Sequence, residues 1–292
     1  MYKAIADNKR NTVLIMAVFV GIISAIGWVV SYFYGDTNIA YFVVVGAALY
    51  AWIQYYIADK LTIAMTGARE IQKRDNPRFY RIVENLAITT GMQTPNVYII
   101  DDAAPNAFAT GRDPKHAIVA ATTGLIDMMD DNELEAVMAH EMGHVKNYDI
   151  RVSMITFGLV SAIGFLTDIV LRMMFYGGDR DSEDKSPVMM IIGIIVLILA
   201  PIIAVVVQMA VSRQREYLAD ATSAMTTRHP DSMISALEKL KTNGRPMKRQ
   251  NTASAHLYIT NPLKPGFFAK LFSTHPPLDD RIARLRKNAN KF

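Results

Sequence analysis

The chain contains no cysteine. Disulfides and thiolate metal sites are therefore excluded, although the compartment is not identified by this alone. Internal repeats and low-complexity tracts are missing too. Charge is nearly absent from four long stretches, residues 12–33, 38–58, 152–175 and 188–211. Each is longer than the roughly 20 apolar residues that cross a bilayer. Hydrophobic residues make up 51% of the chain and mean hydropathy is +0.15, high for a soluble protein. Four uncharged or nearly uncharged runs argue against buried core helices. Trp28, Tyr32, Tyr34 and Tyr41 stand towards the ends of the first two runs, where aromatic belts sit. The first run is too long for a signal-peptide core, and a second follows at once. Asp168 and Arg172 lie four apart inside the third run and can neutralise each other, with Arg172 reaching outward.

Lysine and arginine set the expected orientation. Lys3, Lys9 and Arg10 precede the first span, and residues 34–37 between the first pair have neither type. Lys60, Arg69, Lys73, Arg74, Arg78 and Arg81 follow the second span. The loop 176–187 is acidic, and the carboxy-terminal segment is again basic. Both termini and both large polar segments are expected on the cytoplasmic side. The net charge of +4 then follows from topology and calls for no nucleic-acid partner. Four parts result: a transmembrane hairpin at 1–58, a catalytic part at 59–151, a second hairpin at 152–211 and a completing part at 212–292.

Within the polar parts, residues 76–91 have helical spacing, with Phe79, Ile82, Val83 and Leu86 on one side. Residues 96–100, 106–111 and 117–121 read as strands, with a turn at 112–115, and 122–129 as a short helix. Residues 243–267 are rich in Pro, Gly and Asn, and a basic helix is expected near 278–287.

The chemistry concentrates at His140-Glu141-Met142-Gly143-His144. On a helix, residues four apart share a face, so both imidazoles can reach one metal. Glu141 sits roughly 100° round the helix, beside the open coordination position, where it can take a proton from water. Asp130 with Glu133 forms a capping-box pattern that starts this helix. Gly143 inside the helix points to close approach of another backbone. A catalytic zinc has three protein ligands and an open position. The third is open among His116, His229, His256, His275 and Glu216. Geometry favours Glu216: His144 lies shortly before the third span and Glu216 shortly after the fourth, so an antiparallel pair brings them together at the membrane surface. Asp220, four residues beyond Glu216, can accept the free N–H of a ligating histidine.

Two spans, HEMGH at 140–144, two more spans, Glu216-Tyr217-Leu218-Ala219-Asp220, and Thr274-His275-Pro276-Pro277 followed by Arg281 appear in that order. This order closely resembles the HtpX family of bacterial membrane zinc metalloproteases, relatives of the type I CAAX prenyl proteases, over essentially the whole chain. The resemblance implies a mainly α integral membrane protein: four transmembrane helices with a cytoplasmic zincin-like α+β metalloprotease domain in the bacterial inner membrane. It implies one zinc ion per subunit on His140, His144 and Glu216, with Glu141 as general base. It implies Asp220 as supporting carboxylate, and His275 and Arg281 near the metal, His275 stabilising the tetrahedral intermediate. It implies that substrate backbone lies along Asn106, Ala107, Phe108 and Ala109. The implied role is quality control of membrane proteins under stress. Two alternatives are a narrow peptidase of prenyl-protease type and a zinc-stabilised membrane chaperone or scaffold. Four spans are too few for the enclosed chamber of the first, and Glu141 has no use in the second.

Overall fold

The computed structural model describes residues 2–156, 158–160, 213–251, 254–264 and 276–289. Most of the expected third span, all of the fourth span within 188–211, the Asp168–Arg172 pair and His275 lie outside them.

The amino-terminal hairpin is built from α1 (Tyr2–Tyr34) and α2 (Thr37–Thr66). Gly35 turns the chain at φ 64, and the Asp36 side chain accepts from Asn38 N–H to cap α2. The helices approach closely where Gly27 faces Val43; an added Cβ would lie 2.5 Å from its nearest atom. Leu14, Trp28, Phe42, Leu49, Trp52 and Ile57 are exposed. An apolar exterior of this extent suits lipid better than water. Among the described residues, α2 is the helix whose length and composition suffice to cross a membrane. Ile15, Phe19, Ala51 and Ala58 pack against Val152, Ile155 and Leu159, which joins the hairpin to the helical residues 149–156 and beyond.

The polar part is α+β. Helix α3 (Pro77–Thr90) is capped by Asn76, whose side chain accepts from Phe79 N–H, and ends at Gly91 with φ 67. Its buried side carries Phe79, Val83 and Leu86. Strands β1 (Arg69–Glu70), β2 (Asn96–Ile100), β3 (Ala107–Thr110) and β4 (Ile118–Thr122) form one sheet in the order β1-β2-β4-β3. The β2–β4 pair is parallel and the outer pairs are antiparallel. Helix α4 (Thr123–Met128) leads into α5 (Asp131–Lys146). The capping box is formed: Asp130 accepts from Glu133 N–H and Glu133 from Asp130 N–H, both at 2.9 Å.

Helix α5 lies at the centre of the main core, with Leu134, Val137, Met138 and Met142 all buried. Helix α6 (Arg213–Thr227) crosses it at Gly143, where Thr222 and Ala219 come within 3.4–3.5 Å of the place a Cβ would take. The Ser223 hydroxyl donates to Ala136 O at 2.6 Å at the same crossing. Helix α7 (Pro230–Asn243), not anticipated from the sequence, locks to α5 through Lys239 and Ser235 on Glu133. Helix α8 (Leu278–Asn288) covers α6 and α7. The two-residue β1 also escaped the sequence reading; two exposed charged residues carry no alternation.

Candidate metal centre

Helix α5 presents His140 and His144 on one side, and α6 brings Glu216 onto the same point. The two Nε2 atoms are 3.2 Å apart. Glu216 Oε1 lies 3.4 Å from His144 Nε2, and Oε2 lies 3.7 Å from His140 Nε2. Donors at ~2.1 Å from a tetrahedral ion are ~3.4 Å from each other. The two Glu216 distances fall on different oxygens, and with one atom from each residue the three donors lie within 4.8 Å of one another. Among the described residues these three form the cluster able to hold a metal ion.

Each imidazole is oriented from behind. His140 Nδ1 is 2.9 Å from Asp220 Oδ1, and Arg281 grips Asp220 with two donors, at 2.6 and 2.9 Å. His144 Nδ1 is 2.9 Å from Asp149 Oδ2. Carboxylates on both Nδ1 atoms place hydrogens there and turn both Nε2 lone pairs inward, the arrangement a cation requires.

The electrostatics divide the two histidines. Burial, helped by the Arg281 charge, pushes His140 down to about 4. Burial also opposes charge on His144, but the Asp149 hydrogen bond and the Glu216 charge outweigh it and lift His144 to about 9. Burial raises Glu141 to about 7, against His144 and a hydrogen bond from Ala109 N–H. Burial works against ionised Asp220, but Arg281 and His140 hold it below the usual carboxylate range. Arg281, fully buried, is held charged by Asp220 despite burial.

Among the described residues, none of the other candidates for third ligand joins this cluster. His116 is exposed and bonded to Asp113 at 2.8 Å, and His229 precedes α7. His256 is buried in the wall of the site cavity, with Nε2 on Ser153 O at 3.0 Å. His275 lies outside the described residues.

Asn106, Ala107, Phe108 and Ala109 run along the outer edge of the sheet, and Ala109 reaches the cavity. Part of that edge is already taken by the chain itself. Ile259 N–H donates to Ala107 O at 3.0 Å, Phe108 bridges Tyr258, and the Asn106 side chain clasps Thr260 in both directions at 2.9 and 3.2 Å. Leu257 of the same segment lines the cavity beside Glu141, and the cavity holds only about 30 Å³. That is room for one or two waters.

Sequence reasoning missed Asp149 and Arg215, and weighed His256 only as a third ligand; all three line the cavity. Asp149 carried one readable signal, a carboxylate just past the second histidine. Arg215, adjacent to Glu216, is partly buried with Nη1 3.7 Å from Asp149 Oδ1.

The profile of Peptidase family M48 matches residues 73–289, a span that contains every one of these groups. This chain belongs to peptidase family M48. It is 56% identical over 292 residues, covering 100% of both chains, to a protein named Protease HtpX homolog of Tropheryma whipplei (strain Twist). It is 44% identical to the homologue of that name from Dictyoglomus thermophilum (100% of this chain, 96% of that one). The Streptococcus gordonii homologue is 42% identical (98% and 99%). The crystal structure of S. mikatae Ste24p is similar with a TM-score of 0.49 and 17% identity, covering 98% of this chain and 66% of that one. The HtpX relationship makes this chain a membrane metalloprotease that works with a metal cofactor.

Proposed function

We propose that this protein is a zinc-dependent endopeptidase of the bacterial inner membrane that cuts misfolded or damaged membrane proteins at the cytoplasmic face. Four spans would anchor it, with both termini and the active site in the cytoplasm, as the lysine and arginine distribution favours. The observation that carries the catalytic reading is the donor triangle of His140, His144 and Glu216 with buried Glu141 beside it. Nitrogen and carboxylate donors of this kind suit zinc.

When bound, the ion would supply Lewis acidity, bringing the pKa of water towards about 7 and polarising the peptide carbonyl. The residues do the rest. Glu141, poised near neutrality, takes the proton of the attacking water at its carboxylate and delivers it to the leaving amine. Ala109 N–H, bonded to Glu141, fixes the orientation of that carboxylate. Asp220 and Asp149 hold the imidazole rings, and Arg281 holds Asp220. His275 stabilises the oxyanion, as the family resemblance implies. An extended substrate pairs with the backbone of Asn106–Ala109, taking over the position of Tyr258–Thr260. Backbone pairing reads little of the side chains, which suits an enzyme with many clients.

Glu141→Gln tests this reading. The purified variant should keep its metal and lose peptide cleavage by about 10²–10⁴-fold. Wild-type cleavage of a test membrane protein by that variant, with metal content unchanged, would falsify the general-base role.

A further inference from the structure

We infer that Asp149 is a positioning residue for the metal centre and that Asn8, at the start of α1, holds it in place. The amino-terminal helix is then a working part of the metal site as well as an anchor. The inference rests on the metal-site reading above and concerns how tightly the ion is held.

The chain of contacts is short. His144 points Nε2 at the donor triangle and gives its Nδ1 hydrogen to Asp149 Oδ2 at 2.9 Å. The other oxygen, Oδ1, accepts from Asn8 Nδ2 at 2.6 Å. The same Asn8 nitrogen donates to Asn147 O at 2.8 Å, so one amide holds both the carboxylate and the backbone turn that carries it. Asn8, Asn147 and Asp149 are each at most 4% exposed. Hydrogen bonds at such depth are retained because an unmet partner there is costly.

The turn itself needs holding. Tyr148 has φ 62, a left-handed conformation uncommon for a residue with a side chain, and it brings Asp149 back onto His144 after α5 ends. Lys9, the neighbour of Asn8, places its ammonium 4.7 Å over the Tyr148 ring. Two consecutive residues of α1 therefore grip one turn of the site. They lie 141 and 139 positions away in sequence and outside the matched span 73–289. On the opposite side, Asp220 is gripped by Arg281 of α8, an equivalent device with a different donor.

The test measures ion release in full-length protein purified in detergent, in the Glu141→Gln background so that self-cleavage cannot interfere. Zinc-loaded samples are mixed with a chelator and the release rate is followed; cobalt-loaded samples give the visible spectrum of the site. Asp149→Asn should speed release by about 10–100-fold and shift the cobalt bands. Asn8→Ala should speed release several-fold and shift the bands in the same sense. Thr12→Val is the control: it removes another buried α1 hydrogen bond, from the Thr12 hydroxyl to Asn8 O at 2.9 Å, without touching Asp149. It should leave release and spectrum unchanged. Release within twofold of the parent for Asn8→Ala overturns the inference, and so does an equal acceleration by Thr12→Val. If Asp149→Asn does not purify folded, Asn8→Ala against Thr12→Val decides. Because no arm reads cleavage, the proposed protease function can fail while this inference stands, and the reverse.

Discussion

The two histidines of one motif, four residues apart on one helix, live in opposite surroundings. His140 is sealed in the core behind Asp220 and Arg281, and is driven down to about 4. His144 is partly open, backed by Asp149 and Asn8, and is lifted to about 9. Residue type and spacing are the same, so the difference comes from the surroundings: the Arg281 charge beside His140, and Asp149 behind and Glu216 in front of His144. A neutral His140 is a lone pair ready for an ion; His144 must first give up a proton, so ion entry and proton release are coupled there.

Two changes separate the sides, and a third strikes both. The largest effect is expected from Arg281→Ala. It leaves the Asp220 carboxylate buried behind His140 without its cationic partner, at about 3–5 kcal/mol of stability. Thermal unfolding should show it, while the His144 side keeps its Asp149 bond; an unfolding midpoint equal to the parent would refute the sealed-core picture.

The second change is pH, applied to metal-free protein. A raised histidine adds stability that is complete below its ordinary 6.5 and fades as pH rises through 9, as for His144. Glu141 acts in the same sense, its contribution complete below its ordinary 4.5 and gone as pH rises through 7. His140 acts in the other sense, contributing above 6.5 and losing that as pH falls through 4. Metal-free protein should therefore lose stability between pH 6.5 and 9, and His144→Gln should flatten that loss. Bound ion should flatten it too, because His144 is then neutral throughout. A rise in stability across this window would contradict the assignment of the two sides.

The smallest change strikes both sides equally. Gly143→Ala adds a Cβ at 3.4–3.5 Å from Thr222 and Ala219, ordinary contact, and improves helix propensity. Its unfolding free energy should move by no more than about 1 kcal/mol. Gly143→Leu has no such room against the Ala219 backbone and should push α6, with Glu216, away from both rings, read as lowered metal content. Normal metal content in the leucine variant would mean that the crossing at Gly143 does not set the site.

The sequence made the local features legible because they are local. Asp130 and Glu133 announced the start of α5, Asn76 and Gly91 bracketed α3, and the β-prone run at 96–100 became β2 with the same limits. The small residue at 143 indicated a close helix crossing, and α6 is there. Glu216 emerged from the order of spans, a topological argument. Asn8 and the 254–260 segment did not emerge, since each meets its partner across more than a hundred residues and neither carries a periodic signal. Tyr148 gave no warning either: no local residue pattern announces its left-handed backbone, and the Lys9 ammonium over its ring comes from α1.

The self-paired edge of β3 sets an entry condition. Ile259 is tethered beside Ala107, so its local concentration exceeds that of any diffusing polypeptide. A competitor succeeds only by offering a length of extended main chain whose own amides and carbonyls are unsatisfied. Well-folded neighbours have none to spare, whereas a collapsed or half-inserted protein has many. Under the proposed function, discrimination between healthy and ruined clients then needs no recognition sequence: it is a contest for main-chain hydrogen bonds that intact proteins do not enter.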